Sequence, residues 1–289
     1  MASATADRPQ KGAAANGTGR GVPLGDREFQ AIREFIYRRA GIHLSTAKRA
    51  LVAGRLEKRL RELGCAGYRE YLALLDGDPR PGSEAQRAID LLTTNETYFF
   101  REQKHFDYLV EHVLPTLTRA PQGLRIWSAA CSSGEEPYSI AMTLAEHAGA
   151  RPWSVLATDL SQRVLERARA GIYPLDRAER IPRSYLRAYC LRGTGSKEGL
   201  FAVARKLRER VEFRTLNLNA ELPEGLGLFD VIFLRNVMIY FDLPTKQALI
   251  ARLIARLRPG GYLFVGHSES LNGVTSELIV EAPSIYRRP

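Results

Sequence analysis

The strongest constraint on this chain lies after Pro121, where short runs rich in β-branched and aromatic residues alternate with amphipathic helical stretches. That alternation is the sequence form of a parallel sheet with helices packed on its faces. The runs are Leu124 to Ala129, Val155 to Thr158, Val211 to Leu218, Phe229 to Leu234 and Tyr262 to Gly266. Helices are expected between them, from Glu135 to about Ala148, from Ser161 to about Ala170, and from Pro244 in a first helical turn to Leu257. One interval breaks the rhythm. Pro174 to Arg210 is too long for a loop, and Phe201 to Ala204 after the Gly-rich stretch Gly193 to Gly199 reads as a hairpin within an inserted small subdomain, at about residues 175–208.

The first hundred residues follow a helical period instead. Asp26 is placed to cap a helix whose apolar positions Phe29, Ile32, Ile36 and Ala40 recur at three and four, with Gly41 as its stop. Val52, Leu56, Leu60 and Leu63 form the stripe of a second helix ending at Gly64, and Tyr68, Tyr71, Leu72 and Leu75 mark a short third. After a loop from Asp76 to Gly82, Ser83 to Gln86 matches a capping box and opens a fourth. Residues 1–21, poor in apolar side chains, are expected to be a flexible tail. The expected division is therefore a tail at 1–21, a helical domain at 22–95, a linker with a helix at 96–120, and the sheet-bearing domain at 121–289.

Composition narrows the classes. At 289 residues and 45% hydrophobic content the chain can bury a real core, which excludes disorder as its main state. No stretch approaches the roughly 18 apolar residues of a membrane span, and the N-terminus has no signal-peptide block, so a soluble, cytoplasmic protein without membrane insertion is expected. Cys65, Cys131 and Cys190 are far apart with no CxxC pair, which indicates neither a disulfide framework nor a zinc site. His43 and His105 have no metal-spaced partners in the sequence, so no metal is expected. A net charge of +10 favours an acidic partner without naming it.

The segment Arg125 to Tyr138 reads as a strand, a small-residue turn and a helix start. Small side chains let a backbone approach a ligand at the C-terminal edge of a parallel sheet, where doubly wound folds bind nucleosides. The dinucleotide fingerprint is missing. Of its glycines only Gly134 is present, and Glu135 and Glu136 would repel a pyrophosphate at the helix N-terminus. A carboxylate there suits a cationic ligand. Asp159 ends the next strand, at the usual place for an acid that accepts ribose hydroxyls. Alone, Gly134 is an ordinary turn residue and Asp159 an ordinary cap; their joint spacing fits S-adenosylmethionine, which carries a ribose, a sulfonium and an ammonium but no phosphate.

Three strings carry a family resemblance: Thr93 to Glu102, Ser128 to Met142, and Phe229 to Phe241 together with Leu257 to Ser268. In order and spacing, from about Gly25 to Arg287, the chain resembles the chemotaxis receptor methyltransferases known as CheR. The resemblance implies an α/β fold: a Rossmann-like class I SAM-dependent methyltransferase domain with an inserted small antiparallel β-subdomain, preceded by an all-α N-terminal domain. It implies methylation of glutamate side chains on methyl-accepting chemotaxis receptors, with S-adenosyl-L-methionine as donor and S-adenosyl-L-homocysteine as product. Carried over residue by residue, the cofactor contacts fall on Asn95, Thr97, Arg101, Glu135, Asp159, Asn217, Leu218, Arg235 and Asn236. Of these, the residues themselves point to Glu135 and Asp159; the others rest on the resemblance.

Methyl transfer to a carboxylate needs no general base, because the nucleophile is already ionised near neutral pH with a reference pKa of about 4.3. Alignment and exclusion of water are the expected sources of rate. Arg101, after the aromatic run Tyr98 to Phe100, and Tyr240, just past a strand, are the candidates for holding the reacting groups. The alternatives are an ordinary ion pair for Arg101 and a core aromatic for Tyr240. Asn236 is suited to hydrogen bonds with the methionine moiety or adenine. His267 is read as structural and Cys131 as a small packing residue.

Lys48, Arg55 and Arg59 lie near one face of the second helix. A charge run is often only a solvated face, but the resemblance supplies a use for it, since the family's receptors present glutamates on a helical coiled coil. Gly193 and Gly195 in the Gly-rich insert resemble the loop of family members that also grip a receptor's C-terminal tail peptide as an added strand. A monomer suffices for such a site. Two other readings remain: a nucleic-acid methyltransferase, disfavoured because Asn236 is followed by Val-Met-Ile rather than Pro-Pro and an aromatic, and a non-catalytic module that binds the cofactor structurally. A nicotinamide enzyme is disfavoured by the missing glycines.

Overall fold

A computed structural model of the chain describes residues 22–76, 80, 82–117 and 123–289. The expected tail at 1–21 lies outside the described residues, as do parts of the loop after Asp76 and of the linker's end.

Four helices form the N-terminal layer: α1 (Asp26–Ala40), α2 (Arg49–Leu63), α3 (Tyr68–Ala73) and α4 (Glu84–Leu92). Phe29, Ile32 and Ile36 of α1, Val52, Leu56 and Leu60 of α2, Tyr71 and Ile89 share one core. Three local expectations are corrected. Asp26 does not cap α1; Gly25 holds the cap position and Asp26, already helical, pairs with Arg49. Leu63 is exposed, because α2 ends there and Gly64 turns the chain in the left-handed region. The capping box is half formed. Ser83 accepts from Gln86 N at 3.2 Å, but the Gln86 amide reaches Asp90 and the carbonyl of Leu160 at 3.0 Å, tying α4 to the second domain.

The linker continues through α5 (Gln103–Tyr108), a π-helical turn (Leu109–Val113) and α6 (Leu114–Thr116). The sheet domain then runs β1 (Leu124–Ser128), α7 (Glu135–His147), β2 (Trp153–Asp159), α8 (Gln162–Ala170), β3 (Ile172–Pro174), α9 (Arg183–Tyr189), β4 (Cys190–Arg192), β5 (Leu200–Val203), α10 (Arg205–Arg208), β6 (Val211–Thr215), β7 (Phe229–Leu234), α11 (Leu243–Ile254), β8 (Leu257–Val265), β9 (Ile279–Ala282) and β10 (Ile285–Arg287). The large sheet has the order β6-β2-β1-β7-β8-β10-β9, in which the first five strands are parallel and β10 is antiparallel to both neighbours. Its central strands are buried on both faces, as parallel strands between helix layers must be. β9 and β10 escape the alternation argument because they are short and follow no helix.

The inserted subdomain is a second, three-stranded antiparallel sheet of order β3-β5-β4. It starts slightly earlier than the expected 175, since β3 is Ile172–Pro174. Phe201 from its middle strand packs against the rings of Phe99 and Tyr173, so the subdomain shares the main core. Among the described residues no helix is long and apolar enough to cross a membrane.

Candidate functional site

The chain leaves β1 toward β2 and β6 on one side and leaves β7 toward β8 on the other, so a crevice opens at the C-terminal ends of β1 and β7. The helical domain and the linker roof it, giving a cleft of about 1160 Å³, part of it open to solvent. Its walls come from the turn after β1, the first turn of α7, the tips of β2, β6 and β7, and the segment Thr93 to Arg101.

The turn after β1 needs a glycine at 134. Its φ is 98°, and a Cβ there would lie 2.8 Å from the Tyr173 hydroxyl and 2.9 Å from Ala168. Four other backbone positions around the cleft are left-handed without being glycine: Phe100, Glu102, Ser132 and Asn236. Such conformations cost about 1–3 kcal/mol each and gather where geometry serves a ligand.

Asp159, at the tip of β2, lines the cleft. Its two oxygens accept from the backbone amides of Ser132 at 2.8 Å and Ser161 at 2.9 Å. Burial pushes its carboxyl above the ordinary range against the pull of those amides. Each oxygen keeps lone-pair capacity beyond its one amide.

Of the two adjacent glutamates at the start of α7, Glu135 is buried beneath the cleft wall: it accepts from Ser133 at 2.7 Å and lies 3.8 Å from Arg177, which itself donates to the carbonyl of Thr97. Glu136 faces the cleft, taking the Ser128 hydroxyl at 2.6 Å and Arg235 Nη1 at 3.2 Å. Consecutive helical residues point about 100° apart, which sequence spacing alone did not resolve. Burial raises both carboxyls, and Arg235 works against the rise at Glu136.

Arg235 is the buried centre of the site. Its guanidinium meets Glu136 on one side and Glu102 Oε2 at 3.1 Å on the other, and also donates to the carbonyl of Arg101. Asn236 donates its backbone amide to Glu269 at 2.8 Å and its side-chain amide to Glu102 at 3.2 Å. Gly266 at the tip of β8 permits this, since a Cβ there would meet the Asn236 amide nitrogen at 2.5 Å. Glu102, outside the sequence reading, thus carries the β7 tip; burial opposes its charge, yet Arg235, His267 N and Asn236 together hold its carboxyl below the usual range.

The remaining candidates divide. Asn95, Thr97, Arg101, Asn217, Leu218, Tyr240 and Lys48 all line the cleft. Asn217 also clasps the domains, donating to the carbonyl of Arg39 at 2.7 Å. Arg101 is partly free, with one bond to Glu96 O at 3.0 Å and its charge over the Tyr98 ring. Lys48 Nζ sits 5.4 Å from the centre of the Tyr240 ring.

Arg55 and Arg59 are not free surface charges. Arg55 donates to the carbonyls of Leu92 and Thr93 at 2.8 and 3.1 Å and to the Thr94 hydroxyl, fixing the entry to the cleft wall. Arg59 is held by Glu84, at 2.6 Å for the closest pair, and by Glu62. Gly193 and Gly195 belong to the turn between β4 and β5, away from the cleft.

The donor set fits a cationic sulfur nucleoside: a carboxylate at the ribose position of β2, a second at the first turn of α7, and amides from Asn95, Asn217 and Asn236. Residues 27–93 match the model of the CheR methyltransferase all-alpha domain, and residues 95–285 that of the CheR methyltransferase SAM binding domain. A chemotaxis protein methyltransferase of Klebsiella aerogenes is 45% identical over 267 residues, covering 92% of this chain and 90% of that one. Its counterpart in Escherichia coli is 44% identical, covering 92% of each chain, and chemotaxis protein methyltransferase 2 of Pseudomonas aeruginosa is 46% identical over 245 residues, covering 84% and 86%. With both of its domains matched in order and nearly its whole length aligned, this chain belongs to the CheR family of SAM-dependent methyltransferases.

Proposed function

We propose that this enzyme transfers a methyl group from S-adenosylmethionine to glutamate side chains of methyl-accepting chemotaxis receptors in the cytoplasm, acting as a single subunit. The observation that carries the reading is that one cleft gathers Asp159, Glu136, Arg101, Tyr240 and Lys48. When bound, the cofactor supplies an electrophilic methyl on a sulfonium, which a carboxylate oxygen attacks as the carbon–sulfur bond breaks; the products are a methyl ester and a thioether, and no proton moves. Asp159 accepts the ribose hydroxyls, and Glu136 accepts from the ammonium. Arg101 and Asn236 hold the methionine end. Lys48 attracts the incoming carboxylate, and the Tyr240 hydroxyl orients it. A cofactor and substrate filling the cleft would displace its water, which favours a step in which opposite charges cancel.

The basic surplus of the chain supports an acidic partner. Between residues 163 and 214 there are fourteen Lys and Arg against six Asp and Glu, a surplus of eight out of ten for the whole chain. Steering of the receptor's glutamate-bearing coiled coil is assigned to Lys48 and to this basic segment, not to Arg55 and Arg59. β4 is an edge of the small sheet, with Leu191 exposed, and so suits addition of a receptor tail peptide as a strand beside Gly193 and Gly195.

Incubation of the purified chain with methyl-labelled S-adenosylmethionine and either receptor-bearing membranes or RNA tests the reading. Alkali-labile label on receptor is expected. Label on RNA, or none on either, overturns it.

A further inference from the structure

Glu102, His105 and His267 meet where the start of α5 touches the tip of β8, on the far side of Arg235 from Glu136. One carboxylate oxygen and one nitrogen from each ring all lie within 4.8 Å of one another. The sequence hides this cluster, since 162 positions separate the two histidines.

His105 Nδ1 is buried, makes no hydrogen bond, and faces Glu102 Oε2 at 3.4 Å, so the two atoms converge on one point. On the other side of the ring, Nε2 lies 2.9 Å from Ser284 Oγ. A cation held by Nδ1 would leave the ring proton on Nε2, directed at Ser284.

We propose that Glu102, His105 and His267 form a binding site for a divalent metal ion of the zinc class. Tetrahedral zinc with bonds of about 2.0–2.1 Å sets its donors about 3.3 Å apart. The Glu102–His105 pair is already at 3.4 Å, and His267 Nε2, 4.0 Å from the same oxygen and half exposed, has room to close. Ser284 is the outer partner that such a ligand histidine requires, fixing its tautomer and ring orientation. Arg235 shares the Glu102 oxygen, but Glu136 offsets its charge, which leaves the group with a net negative charge for a cation. His267 leaves the fourth position to water. The ion clamps the linker to the sheet behind the cofactor cleft, since Glu102 also holds Arg235 and Asn236.

The test is calorimetric titration of the full chain, stripped with a chelator, with zinc chloride and no cofactor. One equivalent is expected to bind with a Kd of about 10 μM or tighter. In His267→Ala, whose side chain is exposed enough to lose without unfolding, zinc affinity falls more than the roughly 10–100-fold that loss of an outer partner costs. Circular dichroism confirms the fold of the variant, and its affinity for S-adenosylhomocysteine stays as in the parent. Lack of uptake at about 1 mM zinc overturns the proposal. So does uptake of equal strength in His267→Ala, which would place the ion on surface groups such as His112 or His147.

Discussion

Arg235 Nη2 and Glu102 Oε2 lie 3.1 Å apart across the junction between the linker and the sheet, with the guanidinium almost wholly buried. The pair joins the segment that walls the cleft to the strand that bears Asn236. Because Glu136 takes another edge of the same guanidinium, the charges of three chain segments depend on one another.

Replacing Glu102 with Ala leaves a buried cation with one partner instead of two. Breaking a buried pair in this way costs about 3–5 kcal/mol. Urea unfolding of Glu102→Ala is expected to show a loss of that size; a loss under about 1 kcal/mol would mean that Arg235 does not rely on it.

Arg55 is expected to affect the cofactor before it affects the receptor. It caps the carbonyls of Leu92 and Thr93 immediately before Asn95 and Thr97. Arg55→Ala leaves these groups short of a charged donor, at a cost of about 1–3 kcal/mol, and should weaken S-adenosylhomocysteine binding. If binding of that product is untouched and only the receptor KM rises, the docking role expected from the charge pattern is restored.

The two adjacent glutamates separate cleanly by substitution. Glu136→Gln removes a carboxylate that faces the cleft, whereas Glu135→Gln changes one that faces Ser133 and Arg177. A charge-assisted hydrogen bond contributes about 1.5–3 kcal/mol, so Glu136→Gln should weaken S-adenosylmethionine binding by roughly tenfold or more. Equal effects from both substitutions would contradict the assignment.

Burial raises Asp159, Glu135 and Glu136 above their ordinary values. A carboxyl raised on folding binds its proton more tightly in the native state. Its contribution to stability is complete below the ordinary carboxylate range and is lost as pH rises through the raised value. A cationic ligand needs the ionised forms of Asp159 and Glu136, so the rise in Tm on adding S-adenosylmethionine should grow from pH 5 to pH 7.5. A constant or shrinking rise would refute ionised carboxylates as its partners.

Much of this architecture was legible in the sequence, for identifiable reasons. Strands such as Phe229–Leu234 are apolar runs interrupted only by Asp230, and α1 repeats its core positions at three and four, so pattern alone locates them. Asp159 was legible because it ends a strand at a fixed interval from a small-residue turn. That Glu136, rather than Glu135, lines the cleft was not legible, because both satisfy the same spacing and only helical phase separates them. Arg55 and Arg59 read as surface charges because their partners, Thr94 and Glu84, lie 39 and 25 positions away. Glu102 was invisible for the same cause. Its partners Arg235 and His267 are brought to it by the tertiary fold alone.

The central claim is that the cleft holds a sulfur nucleoside through the carboxylate at the tip of β2. Isothermal titration of the purified chain with S-adenosylhomocysteine, beside the same titration of Asp159→Ala, tests it most directly. One equivalent should bind to the parent, and binding to the variant should be weaker by at least tenfold, or about 1.4 kcal/mol. No heat of binding in the parent, or the same affinity in both proteins, would contradict it.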